Sequence, residues 1–180
     1  MFKLSKRLTI LATATLLANA TPAFTQDVSL PQREGPRPET TNGVPHIQLG
    51  LEPVSELTEL MLKHVAELSG VTLGSTRVSL PGAVGFQLNN DVDIANPEAI
   101  VGGREFAHVH PDGSLHASLE PELARAAVKA GWATPHPWAD QRPGWEGFVM
   151  IYTPTTEAEL NIVLQLVRDS YSYVTGRSAP

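Results

Sequence analysis

Three histidines around one tight turn constrain the fold of this chain more than any other feature. They lie in residues 105–119, Glu-Phe-Ala-His-Val-His-Pro-Asp-Gly-Ser-Leu-His-Ala-Ser-Leu, which hold half of the six histidines of the chain. Pro111-Asp112-Gly113 is typical of a type I turn followed by a glycine with positive φ, the usual three-residue loop of a β-hairpin. This loop predicts a hairpin in which His108 lies opposite His116.

The alternation of side chains supports that register, because successive side chains point to opposite faces of a strand. One face of the predicted hairpin is entirely apolar: Ala107, Val109, Leu115, Ala117 and Leu119. The other face carries the imidazoles: Phe106, His108, His110, Ser114, His116 and Ser118. A two-residue Asp-Gly loop would mix the two sets. We therefore predict that the apolar face packs on the core and that the histidine face looks out from the sheet.

The first 25 residues have the organisation of a secretory signal peptide. Three basic residues precede an eleven-residue apolar run, Leu8 to Ala18, which is too short to span a bilayer. Small-residue cleavage patterns follow, and they place the cut after Ala20 or after Thr25. The alternative is an uncleaved N-terminal anchor. We expect export and a periplasmic or secreted protein, with no stable membrane span after cleavage.

Composition divides the rest of the chain into two parts. Residues 26–49 are rich in Pro, Gly and Thr and lack periodicity, which predicts a flexible tether. Residues 50–176 are long enough to form one domain with its own core. The absence of cysteine excludes disulfides, thiolate catalysis and cysteine-ligated metals. The net charge of −6 and the lack of a basic cluster argue against nucleic acid as a partner.

The hydrophobic patterns of residues 50–176 mix helices and strands without regular alternation. The predicted elements are a helix over 53–68, strands over 76–80 and 84–88, the hairpin, a short helix from Pro121 to Gly131, a long loop over 133–147, a strand over 148–152 and a helix after the Thr156 capping box. His64 falls on the apolar stripe of the first helix and is interpreted as a hydrogen-bonded core histidine. This order predicts an α+β fold, a single domain with a mostly antiparallel sheet and helices packed on one face.

The hairpin histidines are candidates for catalysis or for metal binding, because imidazole carries protons near neutral pH and is the commonest metal ligand. A metal site normally also needs an acidic group to orient a ligand. Glu105 has the wrong strand parity, so Asp112, Asp140 and Glu146 are the candidates. No H-E-x-x-H pattern is present, which argues against a metalloprotease. The sequence leaves the presence of a metal open.

A second cluster lies in the predicted long loop and just before it. Trp132, Trp138 and Trp145, all the tryptophans of the chain, fall within fourteen residues. Aromatic side chains with a polar edge suit an aromatic or apolar ligand, and we predict that these three bind substrate. The alternative is a loop held to the core by its large side chains. His136, between two prolines, is a fourth candidate catalytic histidine.

Four motifs together resemble the luciferase-type domain, which occurs in bacterial proteins of unestablished function and in fungal luciferases. They are the hairpin run from Glu105 to His116, Ala130-Gly-Trp132, Pro135-His-Pro137 and Val149-Met-Ile-Tyr152. The resemblance extends over about Leu57 to Gly176. Fungal luciferases oxidise a polyphenolic pyrone, 3-hydroxyhispidin, with molecular oxygen and without a separate organic cofactor.

The resemblance implies an oxygen-dependent oxidoreductase that acts on a small aromatic or enolic substrate. Molecular oxygen is then the co-substrate, and His108, His110, His116 and His136 are the catalytic positions, with His108 or His116 as general base. Two alternatives remain open. One is a non-catalytic module that binds a small molecule, and the other is a histidine-based, metal-dependent hydrolase. Because fold and family do not fix function, the substrate itself stays undetermined.

Overall fold

The computed structural model describes residues 29–179. In chain order its strands are β1 (Glu39–Thr40), β2 (Gln48–Leu49), β3 (Val71–Ser75), β4 (Val84–Leu88), β5 (Glu105–Val109), β6 (Leu115–Ser118), β7 (Ala133–Pro135) and β8 (Phe148–Ile151). Its helices are α1 (Ser55–Ala66), α2 (Pro121–Lys129) and α3 (Glu157–Thr175). β1 and β2 form a small sheet, and the other six strands form an antiparallel sheet in the order β3-β4-β5-β6-β8-β7. The predicted α+β class is confirmed.

Helices cover one face of the six-stranded sheet. α1 and α3 pack against each other, and α3 also contacts β5 and β6. Leu160, Val163 and Val167 are buried at three- and four-residue spacing, which gives α3 a continuous apolar stripe. They belong to one core cluster with Val109 and Leu115 of the hairpin. The apolar face of the hairpin therefore packs on the core, as predicted.

The hairpin forms in the predicted register. His108 is the cross-strand partner of His116. The loop closes with a hydrogen bond of 2.9 Å from the N–H of Gly113 to the carbonyl of His110. Gly113 adopts a φ of +80°, in the left-handed region that glycine enters without steric cost. Turn chemistry thus sets which side chains share a face.

A β-bulge at the start of β5 changes the side on which two residues lie. The β4–β5 register shifts by one residue, so that Gln87 pairs with Glu105 while Phe106 has no cross-strand partner on β4. The ring of Phe106 lies in the core, with its centroid 5.9 Å from that of Tyr171. The carboxylate of Glu105 lies on the histidine face, 2.8 Å from Nδ1 of His108. The predicted sides of Glu105 and Phe106 are therefore both wrong.

Two predicted boundaries are also wrong. Residues 76–80 are not a strand but part of the connection from β3 to β4. The hydroxyl of Thr76 and the N–H of Arg77 donate to the Glu105 carboxylate, at 2.7 and 3.2 Å, which draws the chain off the sheet. Residues 133–147, predicted as one loop, begin with β7. Pro135 is tolerated in that strand because β7 lies at the edge of the sheet.

Residues 29–49, the described part of the predicted tether, lie against the domain. The backbone N–H of Arg33 donates to the carbonyl of Ala130 at 2.9 Å, and the guanidinium of Arg37 donates to that of Val128 at 2.7 Å. These carbonyls are at the C-terminal end of α2, where no further helical N–H is available. Polar bonds to a helix end leave no hydrophobic periodicity in the sequence, so these contacts have no signal in the pattern of residues 26–49.

The predicted signal peptide, residues 1–25, lies outside the described residues. Within residues 29–179, no helix is both long enough and apolar enough to cross a membrane.

Candidate functional site

Five of the six histidines of the chain converge on the sheet face that α1 and α3 leave free. His108, His110 and His116 come from the hairpin, His136 follows β7, and His46 precedes β2. Their exposed fractions are 3–5%. Centroids of neighbouring imidazole rings lie 4.6–5.3 Å apart. We call these five residues the histidine cluster.

The histidine cluster lies on the sheet face that looks away from the core, as predicted, and connecting segments bury it. Three segments from outside the hairpin supply its cover: residues 44–46, 78–80 and 136–138. A cavity of about 260 Å³ remains between them and the cluster. Its other lining side chains are mainly apolar: Val44, Pro45, Val78, Ser79, Leu80, Val101, Trp138 and Phe148.

A row of hydrogen bonds links four side chains of the site. Oε1 of Glu105 lies 2.8 Å from Nδ1 of His108. Nε2 of His108 lies 3.1 Å from Nδ1 of His116, and Nε2 of His116 lies 3.2 Å from Nδ1 of His46. A neutral imidazole has one donor and one acceptor nitrogen, so each ring in the row can accept on one side and donate on the other. The row can therefore pass a proton between the cavity and Glu105.

Glu105 is a buried carboxylate with several donors around it. It accepts hydrogen bonds from Thr76, from the backbone of Arg77 and from Nε2 of Gln87. Burial alone would raise the pKa of Glu105, but the hydrogen bonds from His108 and Thr76 and the charge of His108 hold that pKa below its ordinary value. Glu105 is therefore ionised and can only accept. Nδ1 of His108 carries the proton of their bond, so a neutral His108 ring has its lone pair on Nε2.

A second acid stands behind His110. The hydroxyl of Ser114 donates to Oδ1 of Asp112 at 2.6 Å, and Nδ1 of His110 lies 3.1 Å from that hydroxyl. Because the hydroxyl proton points at Asp112, Nδ1 of His110 is the donor to Ser114. The lone pair of His110 is again on Nε2. Asp112, one of the acidic candidates from the sequence, thus acts on His110 through Ser114.

Burial keeps most of the cluster neutral. The pKa of His110 falls to about 4, through burial first and the charge of His108 second. The pKa of His136 falls to about 3, through burial and then the charge of His46. Burial, followed by the charges of neighbouring histidines, also lowers the pKa of His116, and burial lowers the pKa of His46. At pH 7 these four rings are bases and hydrogen-bond partners rather than cations.

His136 is held from its own loop. Its Nδ1 accepts a hydrogen bond of 3.0 Å from the backbone N–H of Trp138, so a neutral ring carries its proton on Nε2. The ring centroid lies 4.6 Å from that of His116 and 4.3 Å from that of Phe148. The structure therefore brings together all four histidines that the sequence analysis selected.

The three tryptophans do not form one wall. Trp138 lines the cavity, and its ring centroid lies 6.1 Å from that of Trp145, which stands behind it. Trp132 belongs to the hydrophobic core, where its Nε1 donates to the carbonyl of Pro31 at 2.6 Å. Trp145 and Trp132 lie outside the lining of this cavity, and Trp138 is the tryptophan that a ligand in it would contact. Trp132 precedes edge strand β7 and Trp138 follows it, so the two are close in sequence but lie in different surroundings.

Neither the place of His46 in the site nor the side of Glu105 was predicted from the sequence. A local signal for His46 existed, because polar His46 and Gln48 alternate with Ile47 and Leu49, and both polar residues are buried in the structure. His64, the sixth histidine, is half-buried on α1, with Nδ1 3.4 Å from Glu67.

Two overlapping sets of histidines could hold a metal ion. In each set, one nitrogen from every ring lies within 4.8 Å of the others. One set is His108, His110 and His116, and the other is His46, His116 and His136. Imidazole prefers zinc, copper, iron and nickel over magnesium or calcium. The cluster can therefore move protons, stabilise an anion or bind a transition metal.

Comparison with known proteins finds relatives that are named luciferases. Residues 103–170 match the family model of the luciferase domain. The chain is 31% identical to a luciferase of Armillaria ostoyae over 169 residues, which cover 83% of this chain and 63% of that protein. A luciferase of Armillaria gallica is 30% identical over the same extent, and one of Neonothopanus nambi is 34% identical over 82 residues, or 42% of this chain and 30% of that protein.

The chain thus spans under two thirds of the length of these relatives. No solved structure matches it significantly. The family match includes the whole hairpin, His136 and most of α3, which are the elements that build and support the histidine cluster. Residues 103–170 are therefore similar to a luciferase-type domain.

Proposed function

We propose that the cavity above the histidine cluster is the active site of an oxygen-dependent oxidoreductase that acts on a small aromatic or enolic substrate. The observation that carries this proposal is the make-up of the cavity: imidazoles form one side and apolar side chains most of the rest. The relatives are named luciferases. From this name we infer only the oxidation of a small molecule, and we do not propose light emission.

The cavity suits a compact, planar molecule with one polar edge. Trp138 and Phe148 offer aromatic surfaces, and the imidazoles offer hydrogen bonds to a hydroxyl or a carbonyl. At about 260 Å³, the space limits the substrate to a small ring system. Burying five polar rings contributes less to stability than apolar packing of the same volume would, which favours a functional reason for the cluster.

The first step is removal of a proton from an enolic hydroxyl. A neutral imidazole is a suitable acceptor, and His108 or His116 is the proposed base, which the proton reaches along the hydrogen-bonded row. The positive charge that results stays in the hydrogen-bonded row, next to the enolate. Glu105 balances that charge through Nδ1 of His108, at 2.8 Å. A fixed charge close to a developing anion lowers the barrier for its formation.

The second step is oxidation of the enolate by molecular oxygen. The electron pair of the enolate carbon forms a carbon–oxygen bond, and oxygen is reduced by two electrons to a bound peroxide. The peroxide takes up the proton that the imidazole held. The product is a hydroperoxide that contains every atom of the substrate and of the oxygen molecule, and the histidines return to their starting state.

The test is oxygen consumption by purified protein with a panel of electron-rich enols, polyphenols and hydroxypyrones. We expect substrate-dependent oxygen uptake that His116→Ala abolishes and His64→Ala leaves unchanged, since His64 lies outside the cluster. Tight binding of a panel compound without oxygen uptake would contradict the proposal. That result would favour the non-catalytic binding module instead.

We also propose that the protein is exported, as its N-terminal sequence suggests. The basic start, the short apolar run and the small-residue cleavage patterns support this localisation. N-terminal sequencing of the mature protein from a periplasmic or culture fraction is the test, with a new N-terminus at Thr21 or Gln26 expected. An intact Met1 on soluble cytoplasmic protein would contradict it.

A further inference from the structure

We infer that His108, His110 and His116 form a binding site for one divalent transition-metal ion of the class that prefers imidazole, such as zinc or iron. The site itself rests on the geometry of the three rings. Its part in catalysis rests on the proposed function. With the ion bound, His108 and His116 would serve as its ligands rather than as the base, and the ion would balance the charge of the enolate.

The first two ligands are already placed for an ion. Nδ1 of His108 donates its proton to Glu105, so the lone pair of the neutral His108 ring is on Nε2. This Nε2 lies 3.1 Å from Nδ1 of His116. Two nitrogens at about 2.0–2.1 Å from an ion reach that separation at an angle of roughly 100°. A proton shift on His116, from Nδ1 to Nε2, frees its Nδ1 for the ion and keeps a donor for His46, at 3.2 Å.

The third ligand comes from the end of the same hairpin. Nδ1 of His110 bonds to Ser114, at 3.1 Å, and its Nε2 keeps the lone pair. One nitrogen of each of the three rings lies within 4.8 Å of the others. The rings belong to two paired strands and face one side, so an ion between them keeps open coordination positions toward the cavity.

Each ligand has a partner on its outer nitrogen. Glu105 holds His108, the Ser114–Asp112 pair holds His110, and His46 holds His116. Metal-binding histidines almost always donate their second nitrogen to such a group, which fixes the tautomer and the ring orientation. Both acids lie behind the rings and not between them. The site therefore offers nitrogen ligands alone, which disfavours magnesium and calcium.

The alternative set, His46, His116 and His136, is a poorer site. Nδ1 of His136 accepts the backbone N–H of Trp138 at 3.0 Å, so its neutral ring carries a proton on Nε2. Neither nitrogen of His136 is then free for an ion unless that bond breaks. His136 serves instead as a matched control, because it is a buried member of the cluster and lines the same cavity.

The experiment is a titration of the metal-free full chain with cobalt and with zinc, followed by equilibrium dialysis and metal analysis. Cobalt bound by imidazoles gives visible absorption bands that free cobalt lacks. We expect one ion per chain in the wild type and in His136→Ala, none in His110→Ala, and no competition by magnesium. Glu105→Gln should weaken binding by about 10–100-fold, since it removes the charge behind His108.

The outcomes separate the site from the proposed function. If His110→Ala fails to fold by circular dichroism, Asp112→Asn keeps all three ligands and should still weaken binding by about 10–100-fold. No stoichiometric ion in the wild type, or loss of the ion in His136→Ala with retention in His110→Ala, would overturn the site. Ion binding without oxygen uptake supports the site and counts against the oxidoreductase. Full oxygen uptake by metal-free protein supports the oxidoreductase and overturns the role of the ion.

Discussion

The two faces of the β5–β6 hairpin are equally buried but are covered in opposite ways. Val109 and Leu115 are 2% and 0% exposed and belong to the core formed with α1 and α3. His108 and His116, on the other face, are 3% and 4% exposed beneath connecting segments. Apolar side chains need only a complementary shape, whereas each buried polar atom needs a partner. Burial therefore does not distinguish the core from the site, but the type of cover does.

The segments that cover each face of the hairpin also determine whether that face has room for a ligand. Helices α1 and α3 fill the apolar face with side chains of the core cluster. The segments over the histidine face leave a cavity of about 260 Å³. Connections tolerate change more readily than core elements, and function is often carried by loops on a rigid scaffold. Changes to the two faces should therefore have separable effects on stability and on ligand chemistry.

The largest expected effect on stability comes from the apolar face. Leu115→Ala should lower the free energy of unfolding by about 2–5 kcal/mol, because it leaves a cavity in a packed core. Chemical denaturation measures this change. Leu60→Ala is the matched control, since Leu60 is 36% exposed on α1. An equal loss in the two variants would contradict the assignment of this face to the core.

A smaller effect is expected where the backbone of β4 meets the acid of the site. A Cβ on Gly85 would lie 2.7 Å from Oε2 of Glu105 and from Nε2 of Gln87. Gly85→Ala should cost about 1–3 kcal/mol through overpacking and should displace the Glu105 carboxylate. Gly74, its cross-strand partner on β3, has nothing within 4 Å of an added Cβ. Gly74→Ala should therefore leave thermal stability unchanged. An equal loss of stability in Gly74→Ala and Gly85→Ala would contradict the close approach of the β4 backbone to the Glu105 side chain.

The hairpin was predictable because its determinants are local. The Pro111-Asp112-Gly113 turn and the alternation of apolar residues are both contained in fifteen residues, and together they predict the observed pairing of His108 with His116. The side of Glu105 was not predictable from that alternation. It depends on a bulge that arises from pairing with β4, a strand some twenty residues earlier.

Other parts of the site depend on contacts between distant residues. His46 reaches His116 across 70 residues, from a segment whose composition is typical of a linker. The tryptophans show the converse, because residues that are close in sequence lie in different surroundings. β7 separates Trp132 in the core from Trp138 in the cavity. Sequence patterns within one element therefore predicted its structure. They did not predict which distant segments pack over the sheet.

The two tryptophans give a third prediction. Trp132→Phe removes the hydrogen bond from Nε1 to the carbonyl of Pro31, 2.6 Å long, and should lower the free energy of unfolding by about 0.5–1.5 kcal/mol. Binding of an aromatic probe in the cavity should not change. Trp138→Ala should weaken that binding instead, as fluorescence titration would show. Weaker probe binding in Trp132→Phe alone would reverse our assignment of the two residues.

The smallest effect is expected for the histidine outside the cluster. His64→Ala should change the free energy of unfolding by less than about 0.5 kcal/mol, because a partly exposed contact between two surface side chains contributes little. The side chains of His64 and Glu67 are 35% and 60% exposed. Thermal denaturation at neutral pH tests this prediction. A loss comparable to that of Leu115→Ala would mean that α1 depends on His64 for packing.

The most direct test of the separate roles of the two faces compares neighbours in β6. Leu115 and His116 are adjacent in sequence and point to opposite faces of the same strand. The measurement is the rate of oxygen uptake by Leu115→Ala and by His116→Ala, with a compound from the panel that the wild-type protein oxidises. Each rate is divided by the folded fraction of that variant, taken from circular dichroism. We predict that Leu115→Ala keeps the wild-type rate per folded molecule and that His116→Ala loses it. A wild-type rate in folded His116→Ala would contradict the account.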